Sequence, residues 1–275
     1  MKIEAILSPA ELPALAKRDL RDAVCVVFDV LRATSTFVTA LHNGAKAIIP
    51  VSEIAEALVL RQKQPDALLG GERDGVRIRA ARTGGGDFDL GNSPREYTPE
   101  KVRGKTIVST TTNGTRALRA CTGAKTVLAA SFLNFTATAN FIKKIQPAQV
   151  LLVCAGTREN TALEDVLAAG ALCGMLIRWG ETTGEPNSEQ KQSGSRGRSP
   201  HQKATSDISD SAEMARATYA QAKSDLAAAV GRSENARRLL GIPELRDDVS
   251  FCLQRDRYPL VVKRAADGAT FVSVV

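Results

Sequence analysis

Carboxylates, guanidiniums and hydroxyls recur in this sequence directly after short apolar runs, and each such junction offers a chemistry. The first is Asp29-Val30-Leu31-Arg32-Ala33-Thr34-Ser35-Thr36. A carboxylate, a guanidinium and a run of hydroxyls at the passage from strand to helix suit a hard cation and an anion together, because helix-opening N–H groups favour negative charge. Capping of the helix by Asp29 and Ser35 is the competing explanation. Next, Leu68-Leu69-Gly70-Gly71-Glu72-Arg73-Asp74-Gly75 ends an apolar run in what reads as a glycine-rich turn, and Arg77, Arg79 and Arg82 follow. Such arginines grip phosphate or sulfonate by paired hydrogen bonds, or else form a solvated basic loop. In the turn-rich stretch from Asp87 to Pro94, Asn92 and Ser93 are ligand candidates, though turn chemistry accounts for them almost as well.

Ser109-Thr110-Thr111-Thr112-Asn113-Gly114-Thr115-Arg116 reads as an oxyanion cradle opening a helix. It lacks the lysine and the glycine spacing of a Walker loop, which argues against an NTPase. After the next apolar run come Cys154, Gly156, Thr157, Arg158, Glu159 and Asn160, then Glu164-Asp165 at a helix start. Those two carboxylates either complete a magnesium shell or complement the helix dipole. Other phosphatase schemes fit poorly. Leu31 stands where a D-x-D nucleophile pair needs its second aspartate, and Arg158 follows Cys154 too closely for a C-x5-R loop. Cys154 therefore reads as structural. With His42 and His201 as the two histidines, a His-rich metal site is excluded.

The elements that must position these groups alternate. Ala23 to Val30, Ala45 to Val51, Thr106 to Thr110, Thr126 to Ala129 and Val150 to Val153 read as strands, nearly all apolar and so covered on both faces. Thr36 to Asn43, Ser52 to Lys63, Gly114 to Ala120, Phe135 to Ile145 and Ala162 to Arg178 read as helices. Ser8-Pro9 resembles a helix start, Ser52 precedes another helix, and Gly44 closes a third. The order predicts an α/β protein with a mainly parallel sheet flanked by helices. From Glu181 to Asp210 the composition turns to Ser, Gln, Lys and Gly, which predicts a mobile insertion within a single domain spanning residues 1–275. Beyond it, Ser211 to Val230 reads as an Ala-rich helix, Ser233 caps Glu234 to Leu240, and Leu260 to Val262 with Thr270 to Val274 read as a closing hairpin around Asp267-Gly268.

At 275 residues, with 43% hydrophobic and 24% charged, the chain has an ordinary globular composition. No stretch approaches the length of a membrane span, and Glu4 and Pro9 interrupt the start, so a cytoplasmic protein without membrane contact is expected. The net charge of +7 favours acidic partners, but with 4% aromatics and no long basic run the expectation is a small anionic substrate and no nucleic acid. Five cysteines without paired spacing indicate no disulfide framework. Assembly into a homo-oligomer is left open.

Taken in order, Phe28 to Thr36, Gly70-Gly71-Glu72-Arg73, Leu90-Gly91-Asn92-Ser93-Pro94, Thr110 to Thr115 and the Cys154-to-Thr157 segment resemble the 2-phosphosulfolactate phosphatase family, also called the ComB family. The likeness runs from about Val24 to Gly170, resumes more weakly around Ser233 to Leu240 and at Asp247-Asp248, and breaks at 181–210. It implies a ComB-like α/β fold and a magnesium-dependent phosphomonoesterase cleaving 2-phospho-3-sulfolactate to 3-sulfolactate and phosphate, a step known from coenzyme M biosynthesis. In that setting Asp29, Arg32 and Asn113 are the expected catalytic residues. Ser35, Arg73, Thr111 and Arg158 are expected to bind substrate, and Asp29, Glu72 and Asp165 to hold Mg2+. Asp29 as nucleophile and Asp29 as base both remain open. Two alternatives stand beside this reading: a phosphatase of another small phosphorylated acid, and a non-catalytic anion-binding protein.

Overall fold

Apolar runs without alternation need cover on both sides, and the computed structural model supplies it; it describes residues 1–182 and 207–274. The strands are β1 (Lys2–Ile6), β2 (Ala23–Phe28), β3 (Ala47–Val51), β4 (Leu68–Arg73), β5 (Val76–Arg77), β6 (Thr106–Thr110), β7 (Thr126–Ala130), β8 (Gln149–Cys154), β9 (Asp207–Ile208), β10 (Val261–Arg264) and β11 (Phe271–Val274). The helices are α1 (Leu12–Leu15), α2 (Ala33–His42), α3 (Ile54–Lys63), α4 (Ala80–Thr83), α5 (Pro99–Val102), α6 (Gly114–Ala120), α7 (Phe135–Ile145), α8 (Leu163–Thr182), α9 (Asp210–Ala222), α10 (Leu226–Gly231), α11 (Glu234–Leu240) and α12 (Arg246–Cys252).

The strands form an 11-stranded sheet in the order β5-β4-β6-β3-β11-β10-β7-β2-β8-β1-β9. Two parallel blocks, β4-β6-β3 and β7-β2-β8-β1, are joined by the antiparallel hairpin β10–β11, which pairs with β7 on one side and with β3 on the other. Alternate residues of β2 feed opposite cores. Val24, Val26 and Phe28 pack with Phe135 and Ile142 of α7 and with Leu172 and Leu176 of α8. Cys25 and Val27 pack with Phe37 and Leu41 of α2 and Leu118 of α6. Each fully buried aliphatic or aromatic side chain here contributes roughly 1.5–3 kcal/mol, which explains why the sheet lies between two helical layers.

Several elements depart from their sequence patterns. Leu68 to Arg73 is a strand and not a turn: Gly71 has φ 144, and a Cβ there would lie 2.0 Å from the Thr110 carbonyl oxygen, so glycine permits the close parallel pairing with β6. The Ala-rich stretch breaks into α9 and α10 at Lys223–Asp225, where the Asp225 carboxylate accepts from the Ala228 N–H and starts a new helix. The N-cap of α3 is Glu53 rather than Ser52. The expected insertion at 181–210 lies mostly outside the described residues. Of its ends, Asp207 and Ile208 pair with β1, and Ser209 caps α9. Among the described residues no helix is long and apolar enough to cross a membrane.

Candidate functional site

Four strands separate β6 from β2 in the sheet order, yet a Cβ at Gly114 would lie 2.8 Å from Asp29 Oδ2. The segments that follow the strand ends therefore converge, and they share one cleft. The β2 end supplies Asp29 and Arg32, β4 supplies Glu72, the segment after β6 supplies Thr112 and Asn113, and the segment after β8 supplies Thr157 and Arg158. A separate wall comes from α11, with Arg238 and Leu239. This is the strand-end location at which α/β sheets place ligands.

Asp29 is the most reactive group in the cleft by its surroundings. Its Oδ1 accepts from the Ala33 N–H at 3.1 Å, which caps the opening of α2. No hydrogen bond from the described residues reaches Oδ2. Burial pushes the carboxyl up to about 7, against the Ala33 hydrogen bond, which lowers it; the neighbouring charges of Glu72 and Glu164 add to the rise and Arg32 opposes it. A carboxylate poised near neutrality is what nucleophilic or proton-transfer chemistry requires. Capping and chemistry are thus divided between the two oxygens of one side chain.

Glu72 is held from both sides. Its Oε1 accepts from the Thr112 N–H at 2.8 Å and from the Thr112 hydroxyl at 2.9 Å, while Oε2 accepts from the Gly75 N–H at 2.7 Å. It ties β4 to the segment opening α6. The Asn113 Oδ1 accepts from the Arg158 N–H at 3.0 Å, which fixes the turn in which Arg158 takes φ 57. Arg158 borders the cleft from that turn.

Arg32 is 3% exposed and anchored at both ends of its fork: to Asp248 Oδ2 of α12 at 2.6 Å and to the Gly75 carbonyl at 2.5 Å. Asp248 in turn accepts from the Ser93 hydroxyl at 2.6 Å. Asn92 lines the cleft with a buried Oδ1 that has no partner among the described residues. Ser93, singled out beside it as a ligand candidate, is committed to Asp248.

Four expected site residues do not line the cleft. Both oxygens of Asp165 are taken by backbone amides, Oδ1 by Val30 N–H at 2.9 Å and Oδ2 by Gly156 N–H at 3.0 Å, so it clamps the ends of β2 and β8 to α8. Burial, reinforced by Glu164 and Asp29, holds its carboxyl well above the usual range. Ser35 donates to the Val30 carbonyl at 2.8 Å, a structural bond inside the turn. The Thr111 Oγ accepts from the Thr115 N–H at 3.3 Å, within the first turn of α6. Arg73 lies one residue from Glu72, where strand alternation turns it to the other face; it donates to the carbonyls of Glu72 and Ser52 and to Thr110 Oγ1. Cys154 is buried and its thiol is raised by desolvation, in keeping with a structural role. His42 stacks on Tyr258 with ring centroids 4.2 Å apart, away from the cleft, and His201 lies outside the described residues.

Sequence reasoning missed Arg238 and Asn235 as parts of the site, and named Glu164 only beside Asp165 as a candidate for a magnesium shell. The Arg238 guanidinium donates to Asn235 Oδ1 at 2.8 Å, and Asn235 Nδ2 donates to Glu164 Oε1 at 2.7 Å and to Thr157 Oγ1 at 2.6 Å. The one available signal was the weak likeness around Ser233 to Leu240.

Comparison with known proteins identifies the family. The family model described as 2-phosphosulpholactate phosphatase matches residues 10–266. A probable 2-phosphosulfolactate phosphatase of Thermotoga maritima is 37% identical over 86% of this chain and 86% of its own length. One of Clostridium novyi is 29% identical over 95% of this chain and 96% of its own. One of Caldicellulosiruptor saccharolyticus is 46% identical over 58% of this chain, a match that spans 64% of that relative's length.

Proposed function

Since the chain belongs to the 2-phosphosulpholactate phosphatase family, we propose that it is a cytoplasmic, magnesium-dependent phosphatase that hydrolyses 2-phospho-3-sulfolactate to 3-sulfolactate and phosphate. The observation that carries this reading is the Asp29 carboxylate: one oxygen capping α2, the other open to a cleft bordered by Arg158 and Arg238. A poised carboxylate among guanidiniums suits cleavage of a small phosphorylated acid with more than one negative charge.

Asp29 and Glu72 are the residues that would hold Mg2+. The oxygen donors suit a hard ion, and no group of three His, Cys, Asp or Glu side chains gathers among the described residues, which agrees with an ion that takes one or two carboxylates and leaves the rest of its shell to water and substrate phosphate. When bound, the ion would neutralise charge on the phosphoryl oxygens. The chain's own groups do the remaining work. Asp29 meets the phosphorus either by attacking it through Oδ2 or by taking the proton of an attacking water. The Asn113 amide, whose oxygen is spent on Arg158, has its N–H groups left for substrate oxygens. Arg158 binds the anionic substrate. Arg32, neutralised by Asp248, holds the Gly75 segment that borders the cleft.

The test is phosphate release from 2-phospho-3-sulfolactate, with magnesium and with chelator, beside 2-phospholactate and an aryl phosphate. A magnesium-dependent preference for the sulfonate substrate is the expected result. Equal release from all of them replaces the substrate with a general small phosphoester, and no release from any returns the cleft to anion binding without turnover.

A further inference from the structure

Of the arginines that border the cleft, Arg238 carries its charge in a distinctive setting. Arg32 has Asp248 as counter-charge and Arg158 is exposed to solvent, while elsewhere Arg77 pairs with Glu96, Arg79 with Asp87 and Arg82 with Asp74. Arg238 donates instead to the neutral amide of Asn235, and its Nε is buried with no partner among the described residues. A buried donor left unsatisfied costs about 1–3 kcal/mol, more when it is charged. That cost disappears when an acceptor with negative charge arrives. We propose that Arg238 binds the sulfonate of the substrate and so sets its specificity, an assignment that rests on the phosphatase reading above.

The geometry holds the guanidinium in place for this task. Asn235 is itself fixed by Glu164 and Thr157, so one edge of the fork is tied down. The guanidinium lies across Gly75, whose missing Cβ would sit 3.4 Å from Arg238 Nε; the Gly75 N–H is held by Glu72 and its carbonyl by Arg32. A rigid, pre-oriented fork loses little freedom on binding a planar or trigonal anion edge. The assignment to the sulfonate follows from placement. The reacting phosphate belongs beside Asp29 on the strand-end wall, whereas Arg238 enters from α11. In the substrate, the sulfonate oxygens lie one bond further from the phosphoester carbon than the carboxylate oxygens do. The far wall therefore meets the longer arm.

Wild type, Arg238→Ala and Arg238→Lys are to be compared on 2-phospho-3-sulfolactate and 2-phospholactate, which differ in the sulfonate. In Arg238→Ala, kcat/KM for the sulfonate substrate should fall about 100-fold more than for 2-phospholactate, mainly through KM, the size of a lost charged hydrogen-bond pair. Arg238→Lys should fall between, since it restores charge without the fork. Asn235→Ala, a positioning change acting through Arg238, should narrow the same substrate ratio by less, again as a KM effect. Equal losses on both substrates overturn the assignment. Calorimetric titration with 3-sulfolactate and with lactate decides it without turnover. If wild type binds the sulfonate acid more tightly and Arg238→Ala erases the difference, the assignment stands even where no phosphate is released, and the phosphatase reading fails separately. If wild type binds the two acids alike, the assignment fails.

Discussion

The two walls of the cleft are built by different rules. The strand-end wall takes Glu72 from the end of β4 and Asp29, Asn113 and Arg158 from the segments after β2, β6 and β8, each close in sequence to the strand that aims it. The helical wall takes Arg238 from α11 and, behind Arg32, Asp248 from α12; the Arg32–Asp248 pair spans 216 residues of sequence. Chemistry sits on the rigid wall, where backbone direction fixes the side chain. Recognition and electrostatic support sit on short helices, which can be exchanged without moving the sheet. The sharpest way to break this division is to find reactivity on the wrong wall.

The largest effect is expected at Asp29. Asp29→Asn keeps the cap on Ala33 through its remaining oxygen and removes the open carboxylate, so kcat should fall by at least about 10³-fold; near-normal phosphate release would take Asp29 out of every role considered. The same variant has a signature in stability. Burial raises the Asp29 carboxyl to about 7, so between its unfolded value near 4 and that pH the folded state binds more protons than the unfolded one. Stability then falls as pH rises through this window, by at most about 1.4 kcal/mol per pH unit. Asparagine has no such loss. In chelator, Asp29→Asn should melt above wild type at about pH 8, and the difference should shrink toward about pH 4. A variant less stable than wild type at both ends would contradict the buried-carboxylate account.

The helical wall should respond in stability before it responds in rate. Asp248 is fully buried and neutralises Arg32, so Asp248→Ala leaves a guanidinium in the interior with its counter-charge gone. Breaking a buried pair on one side costs about 3–5 kcal/mol. Chemical denaturation should show a loss of that size. Asp248→Asn, which keeps an acceptor for Ser93, should lose less and keep more of the activity. A loss below about 1 kcal/mol in the alanine variant would mean that the pair is open to solvent and that the two walls are less distinct than described.

What was legible in the sequence follows the same division. β6, α6 and α7 fall at the residues their apolar patterns predict, because strand and helix periods are written locally. Asp29, Arg32, Glu72, Asn113 and Arg158 could be proposed because each follows an apolar run that had to be a buried strand. Arg238 and Asp248 carry no such signal: an arginine or aspartate on a short polar helix is what any solvated surface shows, and only the packing of those helices sets Arg238 at the cleft and Asp248 on Arg32. Arg73 misleads for the opposite reason. In Gly70-Gly71-Glu72-Arg73 the glycines suggest a turn, in which neighbouring side chains share a side; the segment is a strand, in which they do not. β1 went unread because Lys2–Ile6 alternates charged and apolar residues over too short a run to stand out.

Asp165 tests whether the strand-end wall is chemical throughout. With both oxygens on backbone amides, its role is to hold the ends of β2 and β8 together. Asp165→Asn turns an NH2 toward one of those N–H donors and should cost about 1–3 kcal/mol. Some activity would go with it as the Asp29 turn loosens, but the magnesium concentration for half-maximal activity should stay within about twofold, since Asp165 does not line the cleft as Asp29 and Glu72 do. A shift of tenfold or more in that concentration would make Asp165 a ligand after all.

Arg73 should give the smallest effect, and it discriminates between position in sequence and position in space. It stands next to Glu72 in the sequence, yet its guanidinium stitches Ser52, Thr110 and the Glu72 carbonyl on the opposite face of β4. Arg73→Gln removes charge and shortens the reach but keeps an amide donor beside those part-buried acceptors, at a cost of about 1 kcal/mol. Since Arg73 itself does not line the cleft, kcat/KM for the phosphorylated substrate should stay within about threefold of wild type, against the losses of tenfold or more expected when an arginine contacting an anion is removed. Steady-state kinetics on Arg73→Gln beside Arg158→Gln makes the contrast direct: two arginines, each placed just after a strand-end signal, one of which reaches the substrate. If Arg73→Gln loses as much as Arg158→Gln, β4 must turn its other face to the substrate during turnover, and the separation of the two faces of that strand would have to be given up.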